Sequence, residues 1–587
     1  MVSSTSTSAS TWTSPPPVKN PYKAEQALED IPGLQYALKL FLESKMVESE
    51  DYCNKSDEKK ERLYFATGFS LIQCVKGLMS YEDEDLLAAL NHAKHGNQIA
   101  SQHRKKQALL GSIVSVIASS SSVGWIKSMT PVERHAELVY AESLFEKALL
   151  GIVYSGDWLA FIKEALNMRT TISTYKHLLA YLQSADAEAE AQGLGPIDTS
   201  IDPHFRSGVY LGNGMANIVL SLMPGKLMTI VEMFGYHGDR EVGLELLMKA
   251  GGWVTQEGEK EGADPAPLDA TTEGLRRPIC DLCLLMFHLV ISSFTFTGVN
   301  IPLASKILEY NLERYPDSVF FLFGAGRLGL IKGQPHQAIA HYKKAMQVQS
   351  QYKSLHHISW WEIAVAELAL GRVGGGGAGA GGKEEQEEEE GSGLWWRKMH
   401  KEATWSRAIY GYGLGVCLSE EALELGQASP SQPEKKGEDK EREKKRKQLR
   451  DEAASLMKKV PDLRQRIAGK SIPLEKLVAR KARKFTSQKN HLTLGALELS
   501  YIFQAIAHAP RSVLLTKMLP QIRNYELGRL LACQGKVEDA KHEFELVLSG
   551  RYLEVGASGK KGKYSLENAL HVRTHAASEA LKAGKRL

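Results

Sequence analysis

Cysteine is scarce in this chain, with six residues in 587: Cys53, Cys74, Cys280, Cys283, Cys417 and Cys533. Sparse and mostly isolated thiols exclude a disulfide scaffold and suit a reducing compartment. Net charge is scarce as well. A formal +4 on this length is too little to mark a nucleic-acid binder, so any electrostatic partner must meet a local patch. Residues 1–21 contain no arginine and no basic segment followed by an apolar core. Neither a transit peptide nor a secretory signal is therefore predicted. That stretch, rich in Ser and Thr and ending in a proline run, reads as a disordered tail.

Long uncharged runs are few. Residues 108–126, 207–225 and 282–305 have no Lys, Arg, Asp or Glu, and a spanning helix needs about 20 predominantly apolar residues. The first run is interrupted by Ser119–Ser122, the second by glycines with Asn213 and Asn217, and the third by His288, Asn300 and Pro302. All three read as buried helices of a large soluble fold, with membrane anchoring through 207–225 or 282–305 as the alternative. Strand-like alternation bounded by hairpin turns is hard to find, so a sheet is not expected.

What the chain has is helical periodicity. Apolar residues recur at three- and four-residue spacing in LLAALNHAKHGNQIA, AELVYAESLFEKALLGIVY and LASKILEYNLERY. The hydrophobic share of 43% and charged share of 24% allow large cores. Polar, Gly-rich or charged interruptions fall at 186–203, 252–277, 372–393 and 426–447. The predicted organisation is a tail (1–21), an N-terminal helical-repeat region (22–371), a Gly-rich and acidic linker (372–393), and a C-terminal helical-repeat region (394–587). The last holds a charged insertion at 426–447, read as a loop or a frayed solvated helix.

A 34-residue register identifies the repeat. With Val319 as position 1, Gly326 takes position 8, Ala338 position 20, Tyr342 position 24 and Ala345 position 27. A tetratricopeptide unit requires small, small, aromatic and small residues there, because its two helices cross closely. Gly528, Gly535, Ala540 and Phe544 occupy positions 8, 15, 20 and 24 of another copy, and Gly77 with Ala89 mark a fainter one. The fold class predicted is all-α, a tetratricopeptide-like α-solenoid.

Residues 456–485, LMKKVPDLRQRIAGKSIPLEKLVARKARKF, closely resemble the signature of the fungal inclusion body clearance proteins. The animal tetratricopeptide repeat protein 39 family belongs to the same superfamily. LSLMPGKLMTIVEMFGYHGDREVGLELL (220–247), FFLFGAGRL (320–328) and EATWSRAIYGYGLGVCL (402–418) are similar in the same order. The likeness runs from about Tyr22 to Leu587, with the inserts at 372–393 and 426–447 as departures. The resemblance implies a non-enzymatic protein without cofactor, acting in the clearance of protein inclusions after folding stress. It implies lipid-droplet proteins and misfolded proteins as partners, and access of inclusions to a droplet-stored sterol derivative. It places the protein in the cytoplasm and nucleus, at inclusions or droplets. A mitochondrial outer-membrane protein and a sterol-binding or lipid-regulatory scaffold stand as alternatives.

Motifs for chemistry are thin. Ala-Gly-Lys-Ser at 468–471 lacks the preceding glycine of a phosphate-binding loop, since Arg464 stands in its place. Cys280 and Cys283 have the spacing of half a zinc site, but no second pair completes it. They read as thiols packed on a helix. In His356–Trp361 at least one tryptophan is assigned to the core. Gly212 and Gly214 lack the third glycine of a dinucleotide turn, because Asn217 takes its place. They read as close helix contacts, ahead of a helix that starts near Asp239.

The strongest candidate surface is basic. Between 458 and 489 stand Lys458, Lys459, Arg464, Arg466, Lys470, Lys476, Arg480, Lys481, Arg483, Lys484 and Lys489, opposed only by Asp462 and Glu475. Leu474, Leu477, Val478 and Ala482 supply an apolar side, either for an anionic lipid surface or for packing in the solenoid. No aromatic platform accompanies the charges, so nucleic acid is not the expected partner.

Overall fold

The computed structural model describes residues 14–105, 119–155, 158–222, 237–254, 267–269, 272–295, 297–374, 391–427, 436–467, 470–492, 495–514, 529, 531–548, 567–582 and 584. The chain divides into two compact units, residues 1–287 with 302–321, and residues 288–301 with 322–587. The Gly-rich insert at 372–393 therefore falls within the second unit.

Unit 1 is helical. A 3-10 stretch Ala24–Asp30 leads into α1 (Ile31–Leu42), α2 (Met46–Ser56), α3 (Leu63–Ser80) and α4 (Asp83–His103). Then follow α5 (Ser119–Lys127), α6 (Pro131–Ser155), α7 (Trp158–Ala191), α8 (Pro203–Ser221), α9 (Arg240–Gly251) and α10 (Arg277–Leu285). The unit also takes in most of α11 (Ile301–Arg314).

Local chemistry fixes the helix ends. Asp202 accepts from the amides of His204 and Phe205, and Asp239 caps α9 through Glu241 and Val242. Thr130 and Glu133 exchange the two bonds of a capping box at α6. Residues 14–21, the end of the expected disordered tail, run along this unit. Arg62 donates to the carbonyl of Lys19 and to Asn20 Oδ1.

The expected close contacts of the 212–214 glycines are present. A Cβ on Gly212 would stand 2.0 Å from the Tyr175 ring, and one on Gly214 2.8 Å from Leu247. The corner and second helix read for residues 223–236 lie outside the described residues. The uncharged run 282–305 is broken: α10 ends at Leu285, a π turn covers Met286–Val290 and a 3-10 turn Ile291–Ser293. Residues 207–222 belong largely to α8, and most of the run 108–126 lies outside the described residues. Among the described residues no helix is long and apolar enough to cross a membrane.

Two buried polar networks tie unit 1 together. In one, Asp281 of α10 accepts from Trp253 Nε1 and Asn311 Nδ2, both at 2.7 Å, and pairs with Arg277 at 3.1 Å. Glu273 takes Arg277 at 2.9 Å and Arg314 at 2.6 Å. Cys280 and Cys283 flank Asp281 as free thiols. In the other, Tyr64 meets His135, His135 meets Asp202 at 2.8 Å, and Arg276 forks onto Glu142.

A nearby carboxyl gives unit 1 a pH dependence. Glu146 on α6 accepts from Ser70 Oγ at 2.8 Å, and burial pushes it from 4.5 to about 8. The residue still touches the surface, but its carboxyl is enclosed. A carboxyl raised by folding binds its proton more tightly in the folded state. Stability is therefore full below the unfolded value and falls as pH rises through about 4.5 to about 8. The unfolding midpoint is expected to drop between about pH 5 and about pH 8.5, and Glu146→Gln to flatten that drop. Equal slopes for wild type and variant in thermal melts would refute the assignment.

Unit 2 is helical as well. It holds most of α12 (Val319–Ile331), then α13 (Pro335–Val348), α14 (Ser354–Ala369), α15 (Ser392–Glu402), α16 (Arg407–Gln427) and α17 (Lys436–Lys459). The charged insertion is thus helical from Lys436 onward. A 3-10 turn Val460–Leu463 follows, then a minimal hairpin of β1 (Arg466–Ile467) and β2 (Lys470–Ser471), antiparallel with Arg466 opposite Ser471. After it come α18 (Pro473–Ser487), α19 (Gly495–Ile502), short turns at Ala505–His508 and Arg511–Val513, α20 (Val537–Leu548) and α21 (Glu567–Lys582).

One continuous core runs from Leu330 to Ala505, with Trp396, Tyr342, Tyr412 and Phe485 its largest fully buried side chains. Trp360 is buried in it, and Trp361 packs against it. The hairpin is the only strand pairing among the described residues. Its two-residue strands are too short to be seen as alternation.

Candidate functional site: a basic face on the C-terminal helices

The repeat positions come first, because they set the helices that carry the face. A Cβ on Gly326 would lie 2.4 Å from the Tyr342 ring, so α12 and α13 cross at this glycine. Ala338, Tyr342 and Ala345 are fully buried along α13. Gly333, between the two helices, has φ +69°, and Gly535, in the corresponding turn before α20, has φ +77°. Ala540 and Phe544 are fully buried on α20, while Gly528 lies outside the described residues. In the fainter copy, a Cβ on Gly77 would meet Asp85 O at 3.0 Å and Ala89 Cβ at 3.1 Å.

The basic segment is not one helix. It passes from the end of α17 through the 3-10 turn and the hairpin into α18. Lys458, Lys459, Arg464, Lys476, Arg480, Arg483, Lys484 and Lys489 are exposed. No carboxylate among the described residues pairs with Lys458, Lys459, Lys476, Arg483 or Lys484. Lys481 is half-buried and paired with Glu498. The backbones of Arg466 and Lys470 stand on the hairpin, and their side chains lie outside the described residues.

For the apolar side of this segment the structure takes the second of the two readings, packing in the solenoid, and it departs from the sequence reading only at Glu475. Leu477, Val478, Ala479, Ala482 and Phe485 are all buried in the core, and Leu474 packs against it. The apolar side of α18 is therefore taken up by the solenoid, and the charged residues it exposes, Lys476, Arg480, Arg483 and Lys484, are all cations. Glu475, counted as an opposing acid, is fully buried. It accepts from Ser406 Oγ and the Gln465 amide, and burial pushes its carboxyl above the ordinary range. The surface is thus more one-signed than its composition.

At the far end of α18 a cavity of about 410 Å³ opens, lined by Glu420, Arg450, Asp451, Lys489 and His491 among others. Lys489 and Asn490 hold left-handed φ of +58° and +59°, turning the chain back over it. Burial, with the charge of Glu424, pushes Glu420 upward. Sequence reasoning missed this cleft, because its residues come from three separate segments; two consecutive left-handed residues carry no unambiguous sequence signal. Among the described residues no cluster of His, Cys, Asp and Glu is arranged to hold a metal ion.

Helical hairpins crossing at a small residue against an aromatic, stacked into a continuous core, define a helical-repeat protein of the tetratricopeptide type. The chain belongs to the family described as Iml2/Tetratricopeptide repeat protein 39, which matches residues 35–257, 267–372 and 394–546. It is similar to tetratricopeptide repeat protein ttc-39B of Caenorhabditis elegans, with 27% identity over 480 residues, covering 81% of this chain and 71% of the relative. The gap between 372 and 394 coincides with the Gly-rich and acidic insert.

Proposed function

We propose that this protein is a non-catalytic adaptor that binds partner proteins on its helical array and attaches peripherally to anionic lipid surfaces. The observation that carries the lipid part is the face formed by Lys458, Lys459, Arg464, Lys476, Arg483 and Lys484, exposed while the apolar side of α18 is packed into the core. Such a face attracts phosphate headgroups without inserting, so attachment is electrostatic and screened by salt. Family resemblance supports the wider role, clearance of protein inclusions at lipid droplets from the cytoplasm and nucleus, with misfolded proteins and droplet proteins as partners.

Co-sedimentation with vesicles tests the lipid reading. Binding to phosphatidylserine vesicles is expected at low salt, with loss in about 0.5 M salt. At about 1 kcal/mol for each cation, replacing the six by glutamate should weaken binding at least about ten-thousandfold, that is, abolish detectable sedimentation. Equal binding to neutral phosphatidylcholine vesicles, or indifference to the six substitutions, would overturn it.

A further inference from the structure

The helices that open successive hairpins in unit 2, α12, α14 and α16, are linked in order by side-chain contacts. Arg327 of α12 pairs with Glu362 of α14 at 2.9 Å, and Trp361 of α14 meets Tyr410 of α16 edge-on at 6.2 Å between ring centres. Every second helix of a solenoid lines one face, and such faces are extended binding surfaces. Here the face is covered by the chain itself. Residues 495–509 cross all three helices in order. Gly495 lies against Val416 of α16, and Phe503 packs on Trp361 of α14 at 5.0 Å. His508 Nδ1 donates to the Leu330 carbonyl of α12 at 3.1 Å.

This covering segment is unlike the hairpins beneath it. α19 has eight residues, and Gln504 then takes a left-handed φ of +62° before a single turn of helix. A non-glycine residue in that region is strained. Phe503 also touches Trp396 at 5.2 Å. The Trp396 ring is fully buried, and its indole N–H has no hydrogen-bond partner. One outer tie of the segment is the partly exposed pair of Glu498 with Lys481. A strained backbone, an unsatisfied donor under the anchor and a weak outer tie describe an imperfect occupant.

We propose that the row α12–α14–α16 is a peptide-binding groove that the chain closes with its own residues 495–509. The partner it fits is a short amphipathic helix. That helix brings an aromatic anchor to Trp361 and Trp396, small apolar residues to α14 in place of Ala505 and Ala509, and a carboxylate towards Lys481. This rests on the reading that the array binds partner proteins, and it is independent of the lipid face.

The test uses the full chain and a fluorescein-labelled peptide, GALELSYIFQAIAHA, read by fluorescence anisotropy. Wild type should bind weakly, because its groove is occupied. Phe503→Ala should raise apparent affinity about tenfold by freeing the groove, and adding Trp361→Ala should cancel the gain. Glu498→Lys loosens the segment without entering the core and should give about a threefold gain, which keeps the test decisive if Phe503→Ala fails to fold. A peptide with alanine in place of its phenylalanine should not bind. No gain in Glu498→Lys, or a gain that survives Trp361→Ala, overturns the proposal. Vesicles are absent from this assay, so its failure leaves the lipid reading standing, and loss of vesicle binding leaves the groove standing.

Discussion

Asp281→Ala is expected to destabilise unit 1 by about 3–5 kcal/mol, the usual cost of removing one partner from a buried ion pair. Asp281 and Arg277 both have fully buried side chains. Without the carboxylate, Arg277 keeps only Glu273, which already serves Arg314. Two guanidinium groups would then share one acid, and the Trp253 and Asn311 donors would lose their acceptor. Burial pushes the Asp281 carboxyl upward, while Arg277 and the two donors pull it back. The charge is held at a cost, so Asp281→Asn, which keeps the shape and one acceptor, should be milder. Urea unfolding followed by circular dichroism measures both variants. A loss below about 1 kcal/mol for the alanine variant would show that the network contributes little.

The second large effect is expected at Gly326. A Cβ there would lie 2.4 Å from the Tyr342 ring, which cannot retreat because it is fully buried and its hydroxyl reaches Glu362 at 3.3 Å. Glu362 in turn holds Arg327. Gly326→Val should therefore push the helices apart and strain that pair, costing about 3 kcal/mol, the upper end for overpacking. Gly333→Ala supplies the contrast. That position has φ +69° with open space around it, so only backbone strain of about 1 kcal/mol is expected. If Gly333→Ala proves the more damaging in thermal melts, steric crowding does not set the α12–α13 crossing.

These two sites differ in how far the sequence reveals them. Gly326, Ala338, Tyr342 and Ala345 are legible because a 34-residue period writes local geometry into spacing. Asp239 is legible as a cap because the bond it makes is local. The Asp281 network is not, since Trp253, Glu273, Asn311 and Arg314 reach it from other elements. The basic segment is legible as charge but not as geometry. Its composition shows the lysines and arginines, whereas only the packing reveals that Glu475 is internal and that Leu477, Val478 and Ala482 serve the core. The path of residues 495–509 across three helices leaves no period at all, because each of its contacts spans a different distance along the chain.

The thiols beside Asp281 have a kinetic consequence. Burial pushes Cys283 up to about 12 from an ordinary 9.0, and Cys280 is raised as well. That leaves roughly a thousandfold less thiolate at neutral pH than a free cysteine would present. Cys280 is buried and Cys283 partly so, whereas Cys533 is exposed, and an alkylating reagent is expected to label Cys533 first and Cys280 last. The rate at which Cys280 is labelled would then serve as a clock for how often the centre of unit 1 opens.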